Sequence, residues 1–270
     1  MQKQALISSQ SRHRPTTRIW HGINALCLLV LLMSGLTIFN AHPRLYWGEY
    51  GANNDHAWMA VGSSDRIGYL RLGELRVETT GVLGNWQDSE GRTQTWAFPG
   101  WATIPSYYSL ADGRRWHFFF AWIFSLGLAL FMIRSLWNRH IQQDLRMRRE
   151  EWRPSNIWRS IRDHSRISVI RQSADRPYNI VQKLTYIAVI FILLPLMIVT
   201  GLTMSPAMDA NWPFLTELFG GRQSARSVHF IAAFLLVLFF VIHMLMVLLS
   251  GPLRQTRAMI TGGRGREGGK

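Results

Sequence analysis

Four histidines set among apolar residues are the side chains able to do chemistry: His21, His117, His229 and His243. The last two share one apolar stretch, SARSVHFIAAFLLVLFFVIHMLMVLLS, from Ser224 to Ser250, and lie fourteen residues apart. Each residue of an α-helix advances about 100° and about 1.5 Å. Fourteen residues therefore return both imidazoles to nearly one face, about 40° short of four turns and about 21 Å apart along the axis. In a hydrocarbon core about 30 Å thick, one histidine then sits near each side. An ionisable group in hydrocarbon is costly without a partner and marks a functional site. Imidazole binds haem iron, zinc and copper, so the chemistry on offer is metal binding.

The elements that position these residues follow from hydropathy. The chain has 270 residues, 48% hydrophobic, with 12 Trp, and its apolar residues fall in long blocks. Four blocks are long enough to cross a bilayer, at roughly 17–39, 113–137, 179–204 and 224–250. His21 opens the first, His117 opens the second, the third has none, and the fourth carries His229 and His243. Pro195 is expected to kink the third, because proline removes a backbone donor and crowds the preceding turn. The first block follows a polar leader with no small-residue cleavage site after it, so it reads as a retained span and not a signal peptide. The single cysteine, Cys27, rules out an intramolecular disulfide, a cysteine-based zinc site and an iron–sulfur cluster held by this chain.

Charge sets the orientation. The formal net charge is +14, which in a soluble protein would suggest nucleic acid. Here it is explained by topology. Residues 134–176 hold eleven Arg against five Asp and Glu, whereas residues 41–112 hold five Arg against eight Asp and Glu. The positive-inside rule places both termini and the 138–178 basic loop in the cytoplasm and the 41–112 segment in the periplasm, with no nucleic acid partner. The fold class is an all-α membrane protein: a four-transmembrane-helix bundle over residues 1–270, with a periplasmic insertion between helices 1 and 2. The insertion is small and aromatic, with short runs suited to hairpin strands and short helices, and is expected to pack on the membrane domain or a partner.

Alternating span direction assigns each histidine a depth. His21 and His243 fall near the cytoplasmic face, His117 and His229 near the outer face. Two bis-histidine sites stacked across one bilayer is the pattern of a dihaem cytochrome b, and helical bundles build such sites from facing helices. A histidine-based transition-metal transporter is the competing reading, and a purely structural membrane anchor is another. The spans carry no acidic residue to accompany a hydrated ion, and their Phe, Trp, Leu and Met suit a flat apolar macrocycle. Arginines flank the ligands: Arg18 before His21, Arg114 and Arg115 before His117, and Arg226 one turn before His229. They suit haem propionates, since arginine pairs carboxylates bidentately, or else they anchor the span ends at the interface.

The segments RIWHGINA and GRRWHFFFAW and the fourteen-residue histidine spacing of the fourth span resemble the bacterial cytochrome b561-type subunits of nickel–iron hydrogenase and formate dehydrogenase. FNAHPRLYWG, YNIVQKLTY, TGLTMSPAMDA and FGGRQSARSVHF look like the thiosulfate-reductase-type branch of that family. The resemblance implies two haem b groups and electron transfer between the quinone pool and a periplasmic redox subunit, either a molybdopterin oxidoreductase or a cytochrome c. The chain would be the electron-transfer subunit, in the bacterial inner membrane, and not the subunit that converts substrate. In relatives quinone binds near the cytoplasmic haem. Here that is the region of His243, where Asn179, Gln182 and Lys183 are the available polar groups, equally suited to capping the third span.

Overall fold

The computed structural model describes residues 15–52, 54–137 and 180–249, together with 251, 252 and 256. The leader, the basic loop at 138–178 and Asn179 lie outside the described residues. Among the described residues, four helical segments are long and apolar enough to cross a membrane: Arg18–Asn40, Leu110–Trp137, Lys183–Thr203 and Arg222–Leu249. They belong to α1 (Pro15–Asn40), α2 (Leu110–Trp137), the pair α3 (Ile180–Ile187) and α4 (Leu194–Thr203), and α7 (Arg222–Leu249). Large apolar side chains such as Leu26, Phe119, Leu130 and Phe234 stand exposed on them. Such a surface is out of place in water and suits lipid. The break expected at Pro195 takes the form of a six-residue π-helical stretch, Ala188–Leu193, immediately before α4. A proline ring crowds the carbonyl four residues back, here that of Phe191, and the wider turn accommodates it.

The chain divides into two compact units, and the division cuts across the helices instead of separating the insertion. One unit takes residues 1–25, 127–191 and 236–270. In it Trp20 of α1 stacks on Phe131 of α2, ring centres 5.8 Å apart and planes 12° apart. Gly127 makes room for that indole, because a Cβ there would lie 2.3 Å from Trp20 Cζ3.

The other unit takes residues 26–126 and 192–235, and holds the insertion. The insertion is where the all-α expectation needs correcting. It contains a four-stranded antiparallel sheet of β1 (Arg44–Leu45), β2 (Met59–Ser64), β3 (Ile67–Leu72) and β4 (Leu75–Glu78), in that order. Ser64 pairs with Ile67 across a two-residue turn in which Asp65 and Arg66 both have positive φ, 51° and 65°, the backbone that a tight hairpin needs. A second hairpin joins β5 (Trp86–Gln87) to β6 (Thr93–Gln94). Two short helices, α5 (Pro206–Asn211) and α6 (Phe214–Leu218), lead into α7.

The insertion is seated on helix ends within its own unit. Phe39, Leu45, Met59, Val61 and Ala97 form a buried cluster, with Phe230 of α7 packed against it. Asn40 works as a clamp, accepting from the Phe98 N–H at 2.8 Å and donating to the Phe98 carbonyl at 3.1 Å. On α7, Ser227 donates to the Tyr46 carbonyl at 2.6 Å and accepts from the Trp58 indole at 3.0 Å. The first turn of a helix has N–H groups with no partner inside the helix. In α7 two of them, from Gln223 and Ser224, donate to the Gly48 carbonyl at 3.1 Å each.

That seat requires glycine at 221. Its φ is +115°, and a Cβ would lie 2.4 Å from the carbonyl carbon of Gly48. Gly221→Ala is expected to cost about 1–3 kcal/mol, the usual scale of local backbone strain, and to lower the unfolding midpoint in detergent. Gly220→Ala is the control: φ is +68° with nothing within 4 Å, so the loss should be smaller. Equal midpoints for the two variants would mean that the Gly48 contact does not hold α7.

Candidate functional site

The four histidines meet in pairs, each pair inside one unit. His21 of α1 and His243 of α7 have ring centres 6.5 Å apart, with planes at 48°. His117 of α2 and His229 of α7 have ring centres 6.4 Å apart, with planes at 60°. A metal–imidazole nitrogen bond is about 2.0 Å, and the ring centre lies about 1.1 Å behind the nitrogen. Two imidazoles on opposite sides of one metal ion therefore have centres about 6.2 Å apart. Both pairs match that spacing, and both are too far apart to hydrogen bond directly.

Among the described residues no group of three or more His, Cys, Asp and Glu comes together. Each pair thus offers two donors. The other donors of a six-coordinate metal have to arrive with the metal, and a tetrapyrrole brings four of them in one plane. The chemistry of the donor set, two neutral imidazoles in apolar surroundings, fits haem better than a bare cation.

Local packing fixes the rings. His243 stacks on Phe239, one turn earlier in α7, at 5.7 Å and 24°. His117 and His229 are held through Nδ1. Ser34 Oγ of α1 lies 3.1 Å from His117 Nδ1, and Thr200 Oγ1 of α4 lies 2.8 Å from His229 Nδ1. Glycines back the same two rings: a Cβ on Gly35 would lie 3.5 Å from His117 Cε1, and one on Gly201 would lie 3.6 Å from His229 Cε1. Nothing in the sequence reading singled out Ser34 or Thr200. The signal that would have found them is a short repeat, Ser34-Gly35-Leu36-Thr37 and Thr200-Gly201-Leu202-Thr203.

The arginines are less uniform. Arg18 is half-buried at the start of α1 and takes part in an interaction there. Arg114 lies over the Phe118 ring at 5.6 Å. Arg115 pairs with Asp112 at 3.1 Å and is largely exposed. Arg226 donates to the His42 carbonyl and lies over the Phe39 ring at 5.6 Å. Of the polar groups at the start of the third span, Asn179 and the Gln182 side chain lie outside the described residues. Lys183 is half-buried and engaged.

A family model described as prokaryotic cytochrome b561 matches residues 12–262. The chain belongs to the prokaryotic cytochrome b561 family. No curated protein and no solved structure matches it. Membership makes this cytochrome a transmembrane, haem b-binding electron-transfer protein of a prokaryotic membrane.

One titratable group of this cytochrome lies beside the helix ends that carry the insertion and outside the spans. His42 stacks on Tyr46 at 5.7 Å, and its Nε2 atom is buried without a partner. Burial, then the positive charges of Arg226 and Arg44, hold its imidazole below the ordinary 6.5. The folded state favours neutral His42, so this contribution to stability is complete above the ordinary value and is lost as pH falls below it. The unfolding temperature is expected to drop between about pH 7 and pH 5, and His42→Asn should remove part of that drop. Identical pH profiles for the variant and the parent would exclude His42 as a contributor.

Proposed function

We propose that this cytochrome is the dihaem, quinone-linked electron-transfer subunit of a bacterial inner-membrane complex. The observation that carries the reading is the pair of imidazole separations, 6.5 Å for His21–His243 and 6.4 Å for His117–His229. Each separation admits one metal between two nitrogens. Held by two histidines, a haem iron in either site would have no place for oxygen or substrate. Bound in both sites, haem b supplies two reversible one-electron couples, giving electrons a path between quinone and a periplasmic partner.

The chain's own residues have separate tasks in this reading. His117 and His229 hold the outer site, His21 and His243 the inner one. Arg226, Arg18, Arg114 and Arg115 offer guanidinium groups to propionates from the span ends. Arg226 has the strongest case of the four, being half-buried one turn from His229. For quinone on the cytoplasmic side near His243, Lys183 is the polar group among the described residues, and Asn179 and Gln182 are the candidates that the sequence adds. Both termini and the 138–178 loop are cytoplasmic, and residues 41–112 are the periplasmic docking element. The partner class is a molybdopterin oxidoreductase or a cytochrome c.

The test is haem stoichiometry with ligand variants. The purified cytochrome should give two haem b per chain in a pyridine haemochrome assay. His117→Ala or His229→Ala should remove one, and His21→Ala or His243→Ala the other. A quinol analogue should reduce the remaining haem when the outer pair is broken, and reduce none of it when the inner pair is broken. One haem in the parent would sink the dihaem assignment. None would leave a histidine-bound transition metal as the alternative, tested by metal-dependent flux in vesicles.

A further inference from the structure

The two Gly-Leu-Thr repeats do the same job at the same site. Ser34 is fully buried and donates its only hydroxyl proton to the Val30 carbonyl at 2.6 Å. Thr200 is fully buried and donates to the Leu196 carbonyl at 2.6 Å. In both cases the acceptor lies four residues back on the same helix. A hydroxyl has one proton and two lone pairs. A second carbonyl of the same helix, of Leu31 or Met197, lies 3.3 Å from each hydroxyl. With its proton directed to the helix carbonyls, the oxygen turns a lone pair to the imidazole nitrogen beside it, 3.1 Å away at His117 and 2.8 Å at His229. A hydroxyl oxygen accepting at each Nδ1 calls for a proton on Nδ1. That leaves the Nε2 lone pairs free.

We infer that Ser34 and Thr200 are paired positioning residues of the outer site, locking His117 and His229 in the Nδ1–H tautomer and lowering the potential of the haem they bind. The inference rests on the assignment of these two histidines as haem ligands. An acceptor on the distal nitrogen raises the basicity of a metal-bound imidazole, and a more basic ligand favours ferric over ferrous iron. The adjacent glycines complete the arrangement by keeping side chains off the Cε1 edge of each ring. Thr37 and Thr203 close each repeat and are both buried; Thr203 donates to the Val199 carbonyl four residues back at 2.9 Å, and the Thr37 hydroxyl has the Ile104 carbonyl at 2.9 Å and the Met33 carbonyl at 3.2 Å. No such hydroxyl bond is found at His21 or His243 among the described residues.

The experiment is a potentiometric titration of the purified full chain, with haem content and low-spin electron paramagnetic resonance measured in parallel. Ser34→Ala, Thr200→Ala and the double variant should retain both haems. One midpoint potential should rise, most in the double variant, and the g values of that haem should shift, with the other haem unmoved. Ser34→Thr and Thr200→Ser keep the hydroxyl and should restore the parent values. Two retained haems with both midpoints and spectra unchanged would overturn the inference, as would a shift confined to the inner haem. If the double variant does not assemble, the single variants and the hydroxyl-keeping swaps decide by the same criteria. Should His117→Ala and His229→Ala both leave haem content untouched, the underlying ligand assignment falls, and this inference falls with it.

Discussion

An imidazole placed in hydrocarbon must be neutral, must have its N–H satisfied, and must point its lone pair at something. Most of this chain is arranged around that requirement. A buried polar group without a partner costs on the order of 1–3 kcal/mol, and water is not at hand inside a bilayer to supply one. The His117–His229 pair meets the requirement with hydroxyls on the Nδ1 side. Its other side faces a gap of the width that a metal fills. The helices are then constrained in rotation as well as in depth. α1 must present Ser34 to α2, and α4 must present Thr200 to α7.

Close helix approach is the second constraint, and small residues meet it. Gly127 lets Trp20 cross α2 beside His21, while Gly35 and Gly201 sit against the outer imidazoles. Gly113 performs a similar service for Thr37, whose methyl group would lie 2.7 Å from a Cβ there. Association of helices in lipid cannot draw on the hydrophobic effect, so contact of this kind has to come from shape. The exposed Leu, Phe and Trp side chains contribute to solvation by lipid and not to helix selection.

Much of this arrangement was legible in the sequence. Apolar block length marked the spans to within a few residues, and the fourteen-residue spacing with alternating span direction paired His21 with His243 and His117 with His229. Both rules rest on geometry that tertiary packing does not alter. The hydroxyls were not legible, because serine and threonine in a span ordinarily bond their own helix four residues back. Ser34 and Thr200 do that too, and only the second contact reveals their role. The sheet of the insertion was foreseen only as hairpin strands, since β4 is exposed along its length and lacks the alternation that marks a half-buried strand. Arg115 was placed with the ligands by proximity in sequence, yet its nearest charged partner is Asp112, on its own helix. Pro195 announced a break in the third span, but its form, a π-helical stretch on the N-terminal side, depends on how the neighbouring turns relax.

The seat of the insertion on α7 has a consequence for wiring. Gly48, Tyr46 and Trp58 grip the helix at Ser224 and Ser227, and His229 follows within one turn of the last contact. From Arg222 to His229 the helix rises about 10 Å. The stretch between the seat of the insertion and His229 is therefore two turns of one helix, already clamped in place. Attachment of the insertion and placement of the His229 ring are served by the same short stretch. A load on the insertion is passed to that ring through the helix, so the rigidity of the clamp bears directly on how steadily the imidazole is held.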